Sequence, residues 1–156
     1  MHVKIDYPDT ESELAILKLA RKEQKAEAEH QKPQLLKLSQ HDIFQARNEV
    51  SEIHMSDAVE EYIVQLTMAT RQAKKYGDDL ARWIDYGASP RATIALDRCS
   101  RAHAWLNGKD YVSPDDVRAV LHDVYRHRIL ISFEAEAEGI VPDQVINELI
   151  HRVPVA

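Results

Sequence analysis

Two serine–proline pairs start helices in this 156-residue chain, and they carry opposite charges. In Gly87-Ala88-Ser89-Pro90-Arg91-Ala92, Ser89 is placed to cap the amides of a first turn, and Pro90 sits where a missing N–H costs nothing. Gly87 is expected to let the incoming backbone turn sharply. Arg91 then puts a cation into a first turn whose amides already carry partial positive charge, against the helix dipole. In Ser113-Pro114-Asp115-Asp116 the same start is followed by carboxylates, as the dipole favours. A guanidinium beside helix-start amides can hold an anion, a phosphate above all. Ser89, Pro90 and Arg91 are therefore candidate phosphate-binding residues. The alternative is that Arg91 pairs with a nearby Asp or Glu.

The second cationic candidate is Arg126-His127-Arg128. It would contact a nucleotide or a neighbouring subunit, or it would simply close a helix at the end where cations are favoured. Other chemistry finds little support. The chain has no Gly-rich phosphate loop ending in Lys-Ser or Lys-Thr. His122 and His127 are five apart, a poor spacing for a shared metal, so no metal ligands are assigned. His103, between Ala102 and Ala104, is expected to be a packed or hydrogen-bonded histidine. Cys99, the one cysteine, falls on an apolar helix face and is expected to be a small core residue rather than a nucleophile.

Composition bounds the rest. The chain is 44% apolar and 29% charged, with a net charge of −6, enough for one domain with a real core. That charge argues against a general nucleic-acid binder, which must neutralise phosphates. No apolar run is long enough to cross a bilayer, and the first residues lack a signal-peptide pattern. A lone cysteine fits a reducing cytoplasm.

The elements that must position these residues follow from periodicity. Residues 2–7 alternate apolar and polar and read as a short strand without a partner, the last strand of a sheet lying upstream. Thr10 and Glu13 form a capping box for a helix that frays after Lys22 into a polar linker reaching Gln34. Leu35-Leu36-Lys37-Leu38 reads as a short extended piece. Ser39 with Asp42 starts the next helix, and Ser56 caps a third whose apolar stripe runs through Val59, Tyr62, Ile63, Leu66 and Ala69-Thr70. Arg71, Lys74 and Lys75 complement its C-terminal dipole. Between Tyr76 and Tyr86, Leu80, Trp83 and Ile84 are expected to add a helical turn over the core. Helices then follow Ser89, Ser113 and Pro142, and Gly108 ends the first of these as a left-handed cap. The expected fold is all-α, a bundle of about five main helices preceded by the orphan strand. There is no internal repeat beyond the doubled Ser-Pro start.

The motifs together resemble the C-terminal region of MoxR-type AAA+ ATPases. The likeness covers nearly the whole chain. It runs through Tyr7-Pro8-Asp9, the helix from Ser56 ending in Ala69-Thr70-Arg71, Gly87-Ala88-Ser89-Pro90-Arg91-Ala92, Tyr111-Val112-Ser113-Pro114-Asp115-Asp116-Val117 and Arg126-His127-Arg128-Ile129. The resemblance implies an AAA+ lid. Residues 1–9 would be the end of the ATPase core, 10–34 a connecting helix and linker, and 35–156 the lid that packs over nucleotide bound to the core upstream. Arg91 would be the second-sensor arginine reaching the γ-phosphate of ATP. The Walker A loop, Walker B acid, first sensor and arginine finger of such enzymes lie upstream. ATP and Mg2+ are thus expected of the full-length protein, and this stretch alone is expected to bind neither and to hydrolyse no ATP. The family forms hexameric rings and is associated with chaperone-like remodelling, often with von Willebrand factor A domain proteins. The implied partners are the chain's own core, neighbouring subunits and such proteins, in the cytoplasm, with no nucleic acid and no membrane. The segment Tyr76–Tyr86 is longer or more irregular than the family pattern. A stand-alone helical interaction module, with Arg91 and Arg126–Arg128 docking an acidic partner, is the alternative.

Overall fold

The helix starts and apolar stripes of the sequence set most of the architecture. The computed structural model describes residues 1–28 and 37–155. Among them are eight helices: α1 (Thr10–Ala28), α2 (Gln40–Glu52), α3 (Asp57–Arg71), α4 (Asp78–Trp83), α5 (Pro90–Leu106), α6 (Pro114–Tyr125), α7 (Phe133–Ala137) and α8 (Pro142–Arg152). A 3-10 turn at Ala73–Lys75 and two short strands, β1 (Ile84–Tyr86) and β2 (Leu130–Ile131), complete the inventory. The chain divides into a smaller unit, residues 4–43, and a larger one made of residues 1–3 and 44–156.

In the smaller unit, α1 is capped one residue earlier than the Thr10–Glu13 pattern predicts. The Ser12 amide donates to Asp9 Oδ1 at 2.8 Å and the Glu13 amide to the Asp9 carbonyl at 2.9 Å. A carboxylate gains more than a hydroxyl at the positive end of a helix, and the Ser12 amide holds Asp9 below the ordinary carboxylate range. The helix also continues past Lys22 to Ala28, because Glu, Lys, Gln and Ala sustain a helix even where no apolar face is present. The α2 start is reciprocal as expected: the Asp42 amide donates to Ser39 Oγ at 3.1 Å, and the Ser39 amide to Asp42 Oδ2 at 2.8 Å. Of the expected extended piece, Leu35 and Leu36 lie outside the described residues, and Lys37 and Leu38 have no regular structure.

The strand predicted over residues 2–7 does not form. A strand needs a neighbour to complete its ladder, and residues 1–9 have none. His2 turns to the end of α6 instead. Its amide donates to the Asp123 carbonyl at 2.6 Å, and its carbonyl accepts from Arg126 at 2.9 Å.

In the larger unit, α3 packs against α5, α6 and α8. Its stripe of Val59, Tyr62, Ile63, Leu66 and Ala69 is buried, as its 3.6-residue spacing requires. Leu121 of α6 and Leu149 of α8 are fully buried against it, and each such leucine contributes about 1.5–3 kcal/mol. Ala92 and Ala104 are also fully buried, small side chains that let α5 lie close to its neighbours. Cys99 is half-buried against this core, and burial pushes its thiol pKa up, so it stays protonated and inert.

The connection between α3 and α5 is more structured than its sequence suggests. Leu80 is fully buried on α4 as expected, but Ile84 leaves the helix for β1. There β1 pairs antiparallel with β2, Ile84 opposite Ile131 and Tyr86 opposite Leu130. Arg152 fastens α4 to α8 with bidentate bonds of 2.6 Å to Asp79, and it also donates to Glu148 and to the Tyr76 carbonyl. Gly77 at φ +152° makes room for it, since a Cβ there would lie 2.1 Å from the Arg152 guanidinium.

The Ser113 start is closed by its own carboxylate. Asp116 is buried and accepts from the Ser113 amide (2.9 Å), Ser113 Oγ (2.6 Å), Lys109 Nζ (2.9 Å) and His103 Nδ1 (2.9 Å). His103 is thus the hydrogen-bonded histidine expected, with its proton on Nδ1. Burial alone would raise the Asp116 pKa; the donors outweigh it and hold the carboxyl well below the usual range. A carboxylate depressed in this way stabilises the fold above its unfolded pKa, and that contribution drains away as pH falls toward the folded value. Asp116→Asn should therefore cost about 2–4 kcal/mol in urea unfolding at pH 7. It should also narrow the stability difference between neutral pH and pH values below about 4. An unchanged midpoint at pH 7 would show that the buried carboxylate is dispensable.

Candidate functional site

The candidate residues stand at the junction of α3, β1 and α5. Strand β1 delivers the chain to Gly87, which lies flat against the end of α3. A Cβ at Gly87 would sit 2.5 Å from the Thr70 carbonyl oxygen and 2.9 Å from the Arg71 nitrogen. Its φ is not in the left-handed region, so the glycine is there for close approach, not for the sharp turn expected of it. Ala88 follows, fully buried, with both of its backbone polar groups taken by α3. Its amide donates to Thr70 Oγ1 at 2.8 Å, and its carbonyl accepts from Arg71 Nε at 2.7 Å. Arg71, expected only to complement a helix dipole, is one jaw of this clamp.

Ser89 has extended backbone and stands at the N-cap, but its hydroxyl makes no capping bond. The Ser89 carbonyl accepts from the Ala92 amide at 2.8 Å, and the helix begins at Pro90 as expected. Ser89, Pro90 and Arg91 are all exposed. The first turn of α5 contains no acidic residue, and among the described residues the Arg91 side chain makes no ion pair and no hydrogen bond. Among the described residues, no carboxylate neutralises Arg91. A cation in a helix first turn, left without a partner, is suited to an anion that arrives from outside.

One turn deeper, three helices meet through hydroxyls. Thr67 Oγ1 on α3 donates to the Ile63 carbonyl at 3.2 Å. With its hydrogen so used, it accepts from Thr93 of α5 at 2.9 Å and from the Tyr125 hydroxyl of α6 at 2.6 Å. Burial pushes the Tyr125 pKa up to about 12, so it remains a donor throughout the physiological range. The Thr67 carbonyl accepts in turn from Thr70 Oγ1 at 2.7 Å, which joins this cluster to the Ala88 clamp. None of these residues was singled out for function in the sequence. The available signal was two threonines three apart on the buried face of an otherwise apolar helix.

Beside the clamp lies a cleft of about 370 Å³ whose walls include Thr70, Arg71, Lys74, Ile84, Tyr86 and Gly87. Arg91 does not line it.

The structure puts the other cationic candidates to different use. Arg126 donates to Asp143 at 2.7 Å, to Asp123 at 2.9 Å and to the His2 carbonyl. Arg128 donates to the Val124 carbonyl at the end of α6. Only the Arg128 bond closes a helix end; those of Arg126 to Asp143 and His2 tie α6 to other segments. His122 bonds to Asn147 at 3.0 Å, apart from His127, which packs edge-on against His2. Among the described residues no group of His, Cys, Asp and Glu is arranged to hold a metal, and no helix is long and apolar enough to cross a membrane.

Comparison with known proteins bears on this junction. The AAA lid domain family matches residues 80–149, which include β1, the Gly87–Arg91 loop and α5 through most of α8. The protein named Chaperone MoxR1 of Mycobacterium tuberculosis is 35% identical over 117 residues, 74% of this chain and 31% of its own length. Protein MoxR of Paracoccus denitrificans is 40% identical over 65% of this chain and 32% of its own. A crystal structure of a provisionally assigned ATPase from Cytophaga hutchinsonii superposes with a TM-score of 0.86 at 37% identity, covering 97% of this chain and 45% of that one. The chain spans less than half the length of each of these relatives.

The close approach at Gly87 can be tested directly. Gly87→Ala forces a methyl onto the α3 backbone and should destabilise the chain by about 1–3 kcal/mol, read as a lower urea midpoint by circular dichroism. A variant as stable as wild type would mean that the loop and α3 are not in contact in solution.

Proposed function

Because this chain carries the lid domain of a MoxR-type AAA+ ATPase, we propose that it covers ATP bound to an upstream core and supplies Arg91 as the second-sensor residue. The observation that carries the proposal is the Arg91 side chain itself: exposed, without a partner among the described residues, and set in a helix first turn whose cap hydroxyl is unused. In this reading Ser89 and Pro90 lie against the nucleotide and Arg91 reaches its γ-phosphate. A positioned guanidinium offsets the charge that spreads over the transferred phosphoryl oxygens, and it acts through electrostatics and placement rather than covalent chemistry. The exposed amide end of α5 favours the same negative charge.

The Mg2+ that accompanies ATP, together with the base and most phosphate contacts, belongs in this proposal to the core. Residues 1–9 are its trailing edge, residues 10–34 the connection, and residues 35–156 the lid. Opening and closing of the lid with the state of the γ-phosphate would pass hydrolysis on to the rest of the assembly. We assign that assembly as a ring, hexameric by family resemblance, that remodels partner proteins in the cytoplasm. Proteins with von Willebrand factor A domains are the partners to try first.

The test is Arg91→Ala in the full-length protein. Steady-state ATP hydrolysis should fall about tenfold or more, while the folded state of the lid is unchanged because the Arg91 side chain bonds to none of the described residues. Arg91→Lys should recover only part of the rate, since an ammonium keeps the charge but not the fork. Wild-type hydrolysis by the alanine variant, with the ring intact by light scattering, would remove Arg91 from the mechanism.

A further inference from the structure

A guanidinium that pairs with none of the described residues can stabilise a distant phosphate only if its backbone is held still. An unheld arginine loses in conformational entropy much of what it gains in charge pairing. The segment around Arg91 is held on both sides. Three residues before it, Ala88 is fixed through its amide by Thr70 Oγ1 and through its carbonyl by Arg71 Nε. Two residues after it, Thr93 is fixed by Thr67, which also receives the Tyr125 hydroxyl. The two anchors are one network, because Thr70 Oγ1 donates to the Thr67 carbonyl. Hydroxyls on both threonines are buried and hydrogen-bonded, so displacing the loop would strand polar groups in the core.

The geometry points to Thr67, Thr70 and Arg71 of α3, with Tyr125 of α6, as positioning residues that aim Arg91 at the phosphate. None of them touches the nucleotide in this inference, which rests on the second-sensor assignment of Arg91. Their effect on hydrolysis passes wholly through that guanidinium. Two features argue for aim over mere packing. Both backbone polar groups of Ala88 are engaged, which fixes orientation as well as position. The pinning also stops short of the side chain it serves, for the hydroxyl of Ser89 and the guanidinium of Arg91 remain exposed.

A double-mutant cycle in the full-length protein tests this. Thr70→Val keeps shape and removes the acceptor for Ala88; it should lower kcat for ATP hydrolysis about tenfold, with little change in KM. Thr70→Ser restores the hydroxyl and should restore the rate. In an Arg91→Ala background, Thr70→Val should change the residual rate by less than about twofold, because nothing remains to be aimed. Tyr125→Phe, which removes one hydroxyl and leaves the ring packed, should repeat the pattern from the other anchor, so the test survives if Thr70→Val fails to fold. An equal loss of rate in both backgrounds would mean that the network only stabilises the lid, and the inference falls while the role of Arg91 stands. A neutral Arg91→Ala single variant overturns the second-sensor assignment and this inference with it.

Discussion

The contact on which the rest of the larger unit depends is the seam between the end of α3 and the Gly87–Ala88 backbone. Two hydroxyls, on Thr67 and Thr70, sit in the buried stripe of α3 at 2% exposure, where apolar residues would otherwise be expected. A hydroxyl buried without a partner costs about 1–3 kcal/mol. Each hydroxyl here is satisfied through groups outside its own side chain, and for Thr70 one of those is the Ala88 amide. The loop is thus held in place by what its departure would leave behind. Steric fit at Gly87 reinforces this, since only a residue without a Cβ lets the two backbones meet. The β1–β2 pairing upstream and α5 downstream inherit their placement from this seam.

The two Ser-Pro starts show how one local motif yields opposite outcomes. At Ser113, the carboxylate of Asp116 folds back onto the cap and recruits Lys109 and His103, so the helix end is closed by the chain itself. At Ser89 there is no such carboxylate, the cap hydroxyl is unused, and the cation opposes the dipole at a cost of about 0.3–1 kcal/mol. The destabilised start is the one proposed to meet phosphate, and the stabilised one is satisfied by the chain's own side chains.

Much of this was legible in the sequence. Serines at 39, 56, 89 and 113 and the apolar stripes marked the main helices, because helix-start position and 3.6-residue periodicity are local properties, although the Ser56 and Ser89 hydroxyls make no capping bond. The failures share a cause. The cap at Asp9, the β1–β2 pair and the absent strand over 2–7 were decided by competing partners. Asp9 outcompeted Thr10, two short segments nearly fifty residues apart found each other, and residues 2–7 found no strand partner among the described residues. Strands of three and two residues are also too short to display alternation. The network behind Arg91 was hidden for a related reason. Thr67 meets Tyr125 across 58 residues of sequence and Thr93 across 26, and no spacing rule connects them.

Residue type alone did not separate Arg91 from Arg126. Both are arginines at helix ends, and Arg126 sits in the denser cationic run. What separates them is the neighbourhood the fold gives each. Arg126 is flanked by Asp123 one turn back on α6 and by Asp143 at the start of α8, so its charge is consumed in tying the chain together. Arg152 and Lys109 are consumed in the same way by Asp79, Glu148 and Asp116. In a chain with net charge −6, carboxylates are plentiful, and an arginine at a helix start would ordinarily find one. The first turn of α5 is kept clear of them. The spacing of acidic residues around Arg91, more than the presence of the arginine, is what supports the proposal that this end of the lid meets a phosphate.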